Sequence, residues 1–263
     1  MNVRLVNKTV GATGTEYENK SIDEIIVGIA RLSSGRETNE LFDEPHKLLR
    51  HCLSNGHWSI FGTCNLGFEI VTSRAIGREL LRHWSLSPQE ISQRYCSISK
   101  FEPIELREQC ENNRQSSSRV IDPILDGYYN NGNFKLGDDQ ASNAVENYLA
   151  LGQDLYQDLQ KNGVARESAR FVLPEATQTT LVFNGKIRDW ITTLNQRLHK
   201  SAQKECRKVA EDIRDIFIEE CPIISKMLFN FEDAKEIHLL DKVLLAKYGV
   251  FDMVKVNNFK KIK

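Results

Sequence analysis

The sequence predicts an α+β fold built as a single domain, and three observations carry that expectation. Segments with apolar residues at helical spacing are interspersed with short runs of alternating β-forming residues. The 263 residues are 40% hydrophobic, enough for a sizeable core. No internal repeat and no linker divides them.

Taken in order, residues 3 to 6 read as a short strand. Ser21 and Glu24 form a capping-box signature ahead of a helix that carries Ile25, Ile26, Ile29 and Ala30. A second helix starts near Asp43, with Pro45 in its first turn, and stops at Asn55-Gly56. Residues 60 to 71 alternate as a strand. From Ser73 to Trp84, Ala75, Ile76, Leu80 and Leu81 recur at helical spacing, so Arg74, Arg78 and Arg82 form a row and Arg82 and His83 fall in the last turn. Pro88 cannot extend a helix, and the chain leaves it by that point. Residues 101 to 140 are polar and read as a loop-rich excursion with modest helix content, broken at Tyr128 to Asn133, with Asn113 to Ser118 as a mobile lid. A helix over 141 to 161 and a strand from Thr177 to Phe183, ended by Asn184-Gly185, precede a long helix from about Asp189 to Glu220. The lysine-rich tail from Val254 to Lys263 is expected to fray. The domain is drawn as residues 1–232, with 233–263 as a C-terminal extension.

Lys+Arg 35 against Asp+Glu 36 leaves a net charge of -1, so the positive field of a nucleic-acid binder is missing and any anion site must be a local concentration of arginine. The six cysteines show no Cys-x-x-Cys pair and no regular spacing, which argues against a zinc ribbon or a disulfide framework and for reduced thiols in the cytoplasm. His46, His51 and His238 have no metal-ligand spacing, and no metal is expected. The first residues lack the apolar core of a signal peptide and no run approaches the ~18 apolar residues of a spanning helix. Neither secretion nor membrane insertion is expected.

The densest chemistry lies in Arg82 to Tyr95, which packs two arginines, a histidine, a carboxylate and two aromatics into fourteen residues. Beyond Pro88, Glu90, Ser92 and Arg94 alternate with Ile91, Gln93 and Tyr95, so an extended chain would present carboxylate, hydroxyl and guanidinium along one edge. That set suits a phosphate. A helix end followed by a salt-bridged strand explains the same residues. A second constellation runs through Arg166 to Pro174, Asn184 to Trp190 and Asn195 to Gln203. There Arg188, Thr192 and Arg197 stand four and five residues apart, roughly one helical face. A row of solvated charges accounts for that equally well. Two other classes use the same residues: a phosphate-ester hydrolase acting on nucleotides, with Glu90 and His83 as acid and base, and a non-enzymatic helical assembly module with arginines in intersubunit ion pairs.

Taken together, these pieces resemble the flavin-dependent thymidylate synthases. That family's signature, Arg-His-Arg, seven residues, then Ser, appears as Arg82-His83-Trp84 and then Ser92, continued by Gln93-Arg94-Tyr95. Ala30-Arg31-Leu32-Ser33, His57 with Ser59 and Phe61, Arg170 with Leu173-Pro174, and Arg188 through Arg197 to Ala202-Gln203 match in the same order. The resemblance implies helices packed on a mostly antiparallel sheet and a homotetramer with active sites between subunits. It implies FAD reduced by NADPH, methylenetetrahydrofolate as one-carbon donor, and dUMP converted to dTMP. By position, Ser59, Arg82, His83, Trp84, Glu90, Arg188 and Thr192 fall on flavin contacts, with Lys186 available to a flavin phosphate. Glu79, Arg82, Glu90, Ser92, Gln93, Arg94, Arg170 and Arg197 fall on dUMP contacts, and His57 and Tyr95 match residues near the two rings. Arg197 would stabilise charge developing on the uracil and His57 joins it as catalytic. Ser92 has no adjacent base in its motif and is assigned to binding. No nucleic acid and no membrane is implied as a partner.

The chain departs from the pattern at four positions. Trp84 stands where arginine is usual and exchanges a cation for a stacking surface. Gly62 stands where relatives often have glutamate, Glu79 where they commonly have glutamine, and Lys186 where they commonly have asparagine. A carboxylate at Glu79 would repel a phosphate unless it meets sugar hydroxyls or an arginine.

Overall fold

The structure is a computed structural model that describes residues 1–35, 40–97, 100–130 and 133–229. The expected tail and the extension from 233 onward lie outside the described residues. The chain forms two compact units, interleaved in sequence: Met1–Val6 with Gly67–Gly185 and Lys200–Ile213, and Asn7–Leu66 with Lys186–His199 and Arg214–Lys263.

Four strands, β1 (Asn2–Lys8), β2 (Asn65–Ser73), β3 (Ser87–Glu90) and β8 (Gln178–Lys186), form a sheet in the order β1-β2-β8-β3. β3 is an edge strand, which is why Pro88 is tolerated inside it. It runs antiparallel to β8, with Glu90 opposite Leu181. β8 extends through Asn184-Gly185 to Lys186, past the expected stop, because its pairing with β3 at Ser87 and Asn184 continues there. Between β2 and β3 lies α3 (Arg74–Leu80), capped by the Ser73 hydroxyl, which accepts from the Ile76 N–H. Gly77 lets this helix lie close to β8, since a Cβ there would meet Leu181 and Thr179 at 3.3 Å.

The 101–140 excursion is not helical in its described residues. It is two antiparallel hairpins, β4 (Arg107–Gln109) with β5 (Ser117–Val120), and β6 (Ile124–Asn130) with β7 (Asn133–Gln140). The segment expected to be a lid is the β4–β5 turn, tied by Asn113 Nδ2 donating to Ser116 Oγ at 2.7 Å and by the Gln115 N–H to Asn113 Oδ1. Polar composition misled here, because a polar ribbon carries no apolar alternation that marks it as strand. α4 (Ala141–Lys161) buries Ala141, Gly152 and Tyr156, and the short α5 (Arg166–Ala169) contributes Ala169 to the same cluster.

In the second unit, α1 (Ile22–Leu32) begins with the predicted capping box: the Ser21 hydroxyl accepts from the Glu24 N–H, and the Glu24 carboxylate accepts from the Ser21 N–H. Ser21→Ala is expected to cost about 1 kcal/mol, read from denaturant midpoints at constant m-value. α2 (Pro45–Asn55) ends at Gly56, whose φ of 68° is the left-handed cap. Residues 60–62 form a short 3-10 turn and not the start of the strand. The expected long helix is two, α6 (Ile187–Arg197), which belongs wholly to this unit, and α7 (Lys204–Glu220), of which only the end from Arg214 does. α8 (Pro222–Leu228) closes the described chain. Among the described residues no helix is long and apolar enough to cross a membrane, and all six cysteines are free.

Candidate active site

In the first unit, α3 ends earlier than its periodicity suggests, so Arg82 and His83 lie just beyond it, in turns closed by His83 N–H to Leu80 O and Leu86 N–H to His83 O. His83 is buried, whereas Trp84 is 93% exposed. Two arginines of the row are paired: Arg74 lies 3.4 Å from Glu90 and Arg78 is bonded to Glu175. Glu79 is half-buried on the last turn of α3.

Glu90 closes β3 and is held from two sides, by the Thr179 hydroxyl at 2.7 Å and by Arg74. Thr179 and Arg74 were missed as site residues. Thr179 belongs to the buried positions of β8, and nothing local in the sequence shows that it faces Glu90. The expected extended edge of Glu90, Ser92 and Arg94 is not formed. The Ser92 carbonyl accepts from the Tyr95 and Cys96 N–H groups and its hydroxyl accepts from the Arg94 N–H, so the chain turns at Ser92. A serine hydroxyl that satisfies a backbone N–H two residues on competes with strand geometry. Its own O–H proton remains available to a ligand oxygen. Gln93 is buried within this turn, while Arg94 and Tyr95 are exposed. Arg94 pairs with Glu167 at 3.2 Å. Arg170 is half-buried at the end of α5.

In the second unit, His57 follows Gly56 at the end of α2, its N–H bonded to Cys52 O and its ring 5.6 Å from that of His51. Ser59 opens the 3-10 turn, whose Gly62 N–H returns to Ser59 O. Lys186 is the first flanking residue of α6, and no side chain caps that helix start. Arg188 follows in the first turn, with Nε 3.6 Å from Asp189 Oδ1 and its side chain 41% exposed. The Thr192 hydroxyl donates to Arg188 O at 3.0 Å, which leaves its oxygen as an acceptor. Because α6 is continuous, Arg188 and Thr192 share a face, but Arg197 lies about half a turn round from Arg188 at ~100° per residue. The expected single face for all three is therefore corrected.

Phe61 and Trp190 are core residues, with the Trp190 indole N–H donating to Leu66 O at 2.9 Å. A cavity of about 670 Å³ in the first unit, lined by Ile104, Arg107, Val120 and Glu205 among others, contains none of the residues above. Among the described residues no cluster of His, Cys, Asp or Glu could hold a metal.

The fold is shared with a UMP/dUMP methylase from Streptomyces cacaoi, solved with 5-Br dUMP: TM-score 0.63 at 22% identity, covering 86% of this chain and 93% of that one. A family model described as "Thymidylate synthase complementing protein" matches residues 15–223. A flavin-dependent thymidylate synthase from Synechocystis is 35% identical over 228 residues, 87% of this chain and 99% of that protein. A probable flavin-dependent thymidylate synthase from Paramecium bursaria Chlorella virus 1 is 34% identical over 84% of this chain and 97% of its own length. The chain belongs to this family, the flavin-dependent thymidylate synthases. That membership sets aside the hydrolase and the non-enzymatic module.

Proposed function

We propose that the protein methylates dUMP reductively to dTMP, with methylenetetrahydrofolate as one-carbon donor and NADPH as reductant through FAD, in a cytoplasmic homotetramer whose active sites lie between subunits. The observation that carries this reading is that the family match over residues 15–223 takes in every candidate residue from His57 to Arg197. Six free thiols suit a reducing compartment.

The donor set of the second unit fits a flavin dinucleotide. The start of α6 has no side-chain cap; its Ile187 N–H donates to Cys64 O, and the N–H groups that follow, with the positive dipole end and the charges of Lys186 and Arg188, suit a pyrophosphate. Thr192 contributes an acceptor and the exposed Ser59 a hydroxyl. Bound FAD, once reduced by NADPH, would supply the hydride, so no cysteine nucleophile is needed. In the first unit, Arg94, Arg170 and the Ser92 hydroxyl offset desolvation of the nucleotide phosphate. The Arg94–Glu167 pair is more than half exposed on both sides, worth about 0–1 kcal/mol, so exchanging the carboxylate for a phosphate costs little. Thr179 and Arg74 hold the Glu90 carboxyl in place as an acceptor for sugar or flavin N–H and O–H groups. Glu79, Arg82, His83, Gln93 and Tyr95 complete the set, and the exposed indole of Trp84 offers a face to a ring.

The test is absorbance. The protein purified with FAD is expected to be yellow and to bleach when NADPH is added without oxygen. A protein that neither retains FAD nor oxidises NADPH at saturating FAD would remove the reading.

A further inference from the structure

We propose that Gly62 positions Arg188, and so sets how this protein presents a cation to the flavin; the inference rests on the reading of Arg188 as a flavin contact. A Cβ built on Gly62 would stand 3.2 Å from Arg188 Nη1, 3.3 Å from Cζ and 3.5 Å from Nε. Near-equal distances to three atoms of a planar group mean that the guanidinium lies face-on against the backbone of the 3-10 turn. The backbone does not itself demand glycine there, because the φ of Gly62 is outside the left-handed region. What the missing side chain supplies is room for the guanidinium. The nearby Asp189 is a weak alternative anchor: its Oδ1 is 3.6 Å from Nε, and the arginine is more than a third exposed, where such pairs contribute little. Packing on Gly62 therefore fixes the guanidinium more than ion pairing does. A methyl group at this position must displace the guanidinium by a few tenths of an ångström or swing it away, and a carboxylate would consume its charge.

The experiment is a double-mutant cycle on FAD affinity, measured by quenching of flavin fluorescence, with dUMP affinity and thermal midpoint measured alongside. Gly62→Ala and Arg188→Ala are each expected to weaken FAD binding about tenfold, the loss typical of one charge-assisted contact. The double variant should bind FAD no more weakly than Arg188→Ala alone, and dUMP affinity should not change. Additive losses, or wild-type FAD affinity in Gly62→Ala, would overturn the proposal while leaving Arg188 as a flavin contact. Wild-type FAD affinity in Arg188→Ala would remove that contact itself and the proposal with it. If Gly62→Ala does not fold, the double variant decides: relief of the clash restores folding, and continued unfolding overturns the idea.

Discussion

Arg197→Ala is expected to lower the rate of dTMP formation by about 10²- to 10³-fold, the loss typical of one preorganised group that stabilises developing charge. The residue sits in the last turn of α6, between Leu194 and Leu198, whose burial locks that end of the helix. Its side chain is half-buried, where charge interactions exceed those in open water. Held against a uracil edge, the guanidinium would stabilise negative charge that grows on the ring as C5 becomes nucleophilic. Such an interaction is stronger in the transition state than in the bound substrate, so the loss should fall on turnover more than on dUMP affinity. FAD affinity should be nearly unchanged, because Arg197 lies about half a turn from Arg188 and roughly 140° from Thr192 on α6. Arg197→Lys should fall between the two, since it keeps the charge and loses the planar fork. Single-turnover dTMP formation, with sedimentation to check assembly, measures this. A rate like the wild type in Arg197→Ala would take the residue out of the mechanism.

What the sequence made legible was what local chemistry encodes. The capping box at Ser21 and Glu24, the glycine stop at Gly56 and the helix over 141–161 are set by neighbours in the chain, and they form as expected. The breaks are where pairing or a single side chain decides. The β4–β5 and β6–β7 ribbons depend on cross-strand hydrogen bonds that leave no period in a polar sequence. The turn at Ser92 depends on one hydroxyl. The candidate residues could be found because several blocks match a family in order, but their supports could not. That Thr179 and Arg74 hold Glu90, and that Gly62 makes room for Arg188, are facts of three-dimensional neighbourhood between residues far apart in the chain.

Asp23 shows how large such an unseen support can be. In the sequence it is one more acid in the first turn of α1; in the structure it is fully buried, and its carboxylate accepts the Ile223 N–H at 2.6 Å and the Ile224 N–H at 3.3 Å. Those are first-turn donors of α8, so a side chain of one helix caps another 200 residues away. Asp23→Ala orphans two N–H groups and is expected to cost on the order of 3 kcal/mol, at about 1–3 kcal/mol for each unsatisfied buried donor. Burial, opposed by these two hydrogen bonds and assisted by Glu24, pushes the carboxyl from its ordinary 3.8 up to about 6. The folded protein therefore holds this proton more tightly than the unfolded chain, and the sign follows: stability contributed by the group is complete below 3.8 and is lost as pH rises through about 6. Much of that loss lies below pH 5, leaving roughly 1 kcal/mol between pH 5 and pH 7. Asp23→Asn stays neutral, and its amide oxygen keeps the shorter bond. The unfolding free energy of wild type relative to this variant should fall by that amount between the two pH values. A difference that is the same at both would show that Asp23 ionises in the fold as it does in the open chain.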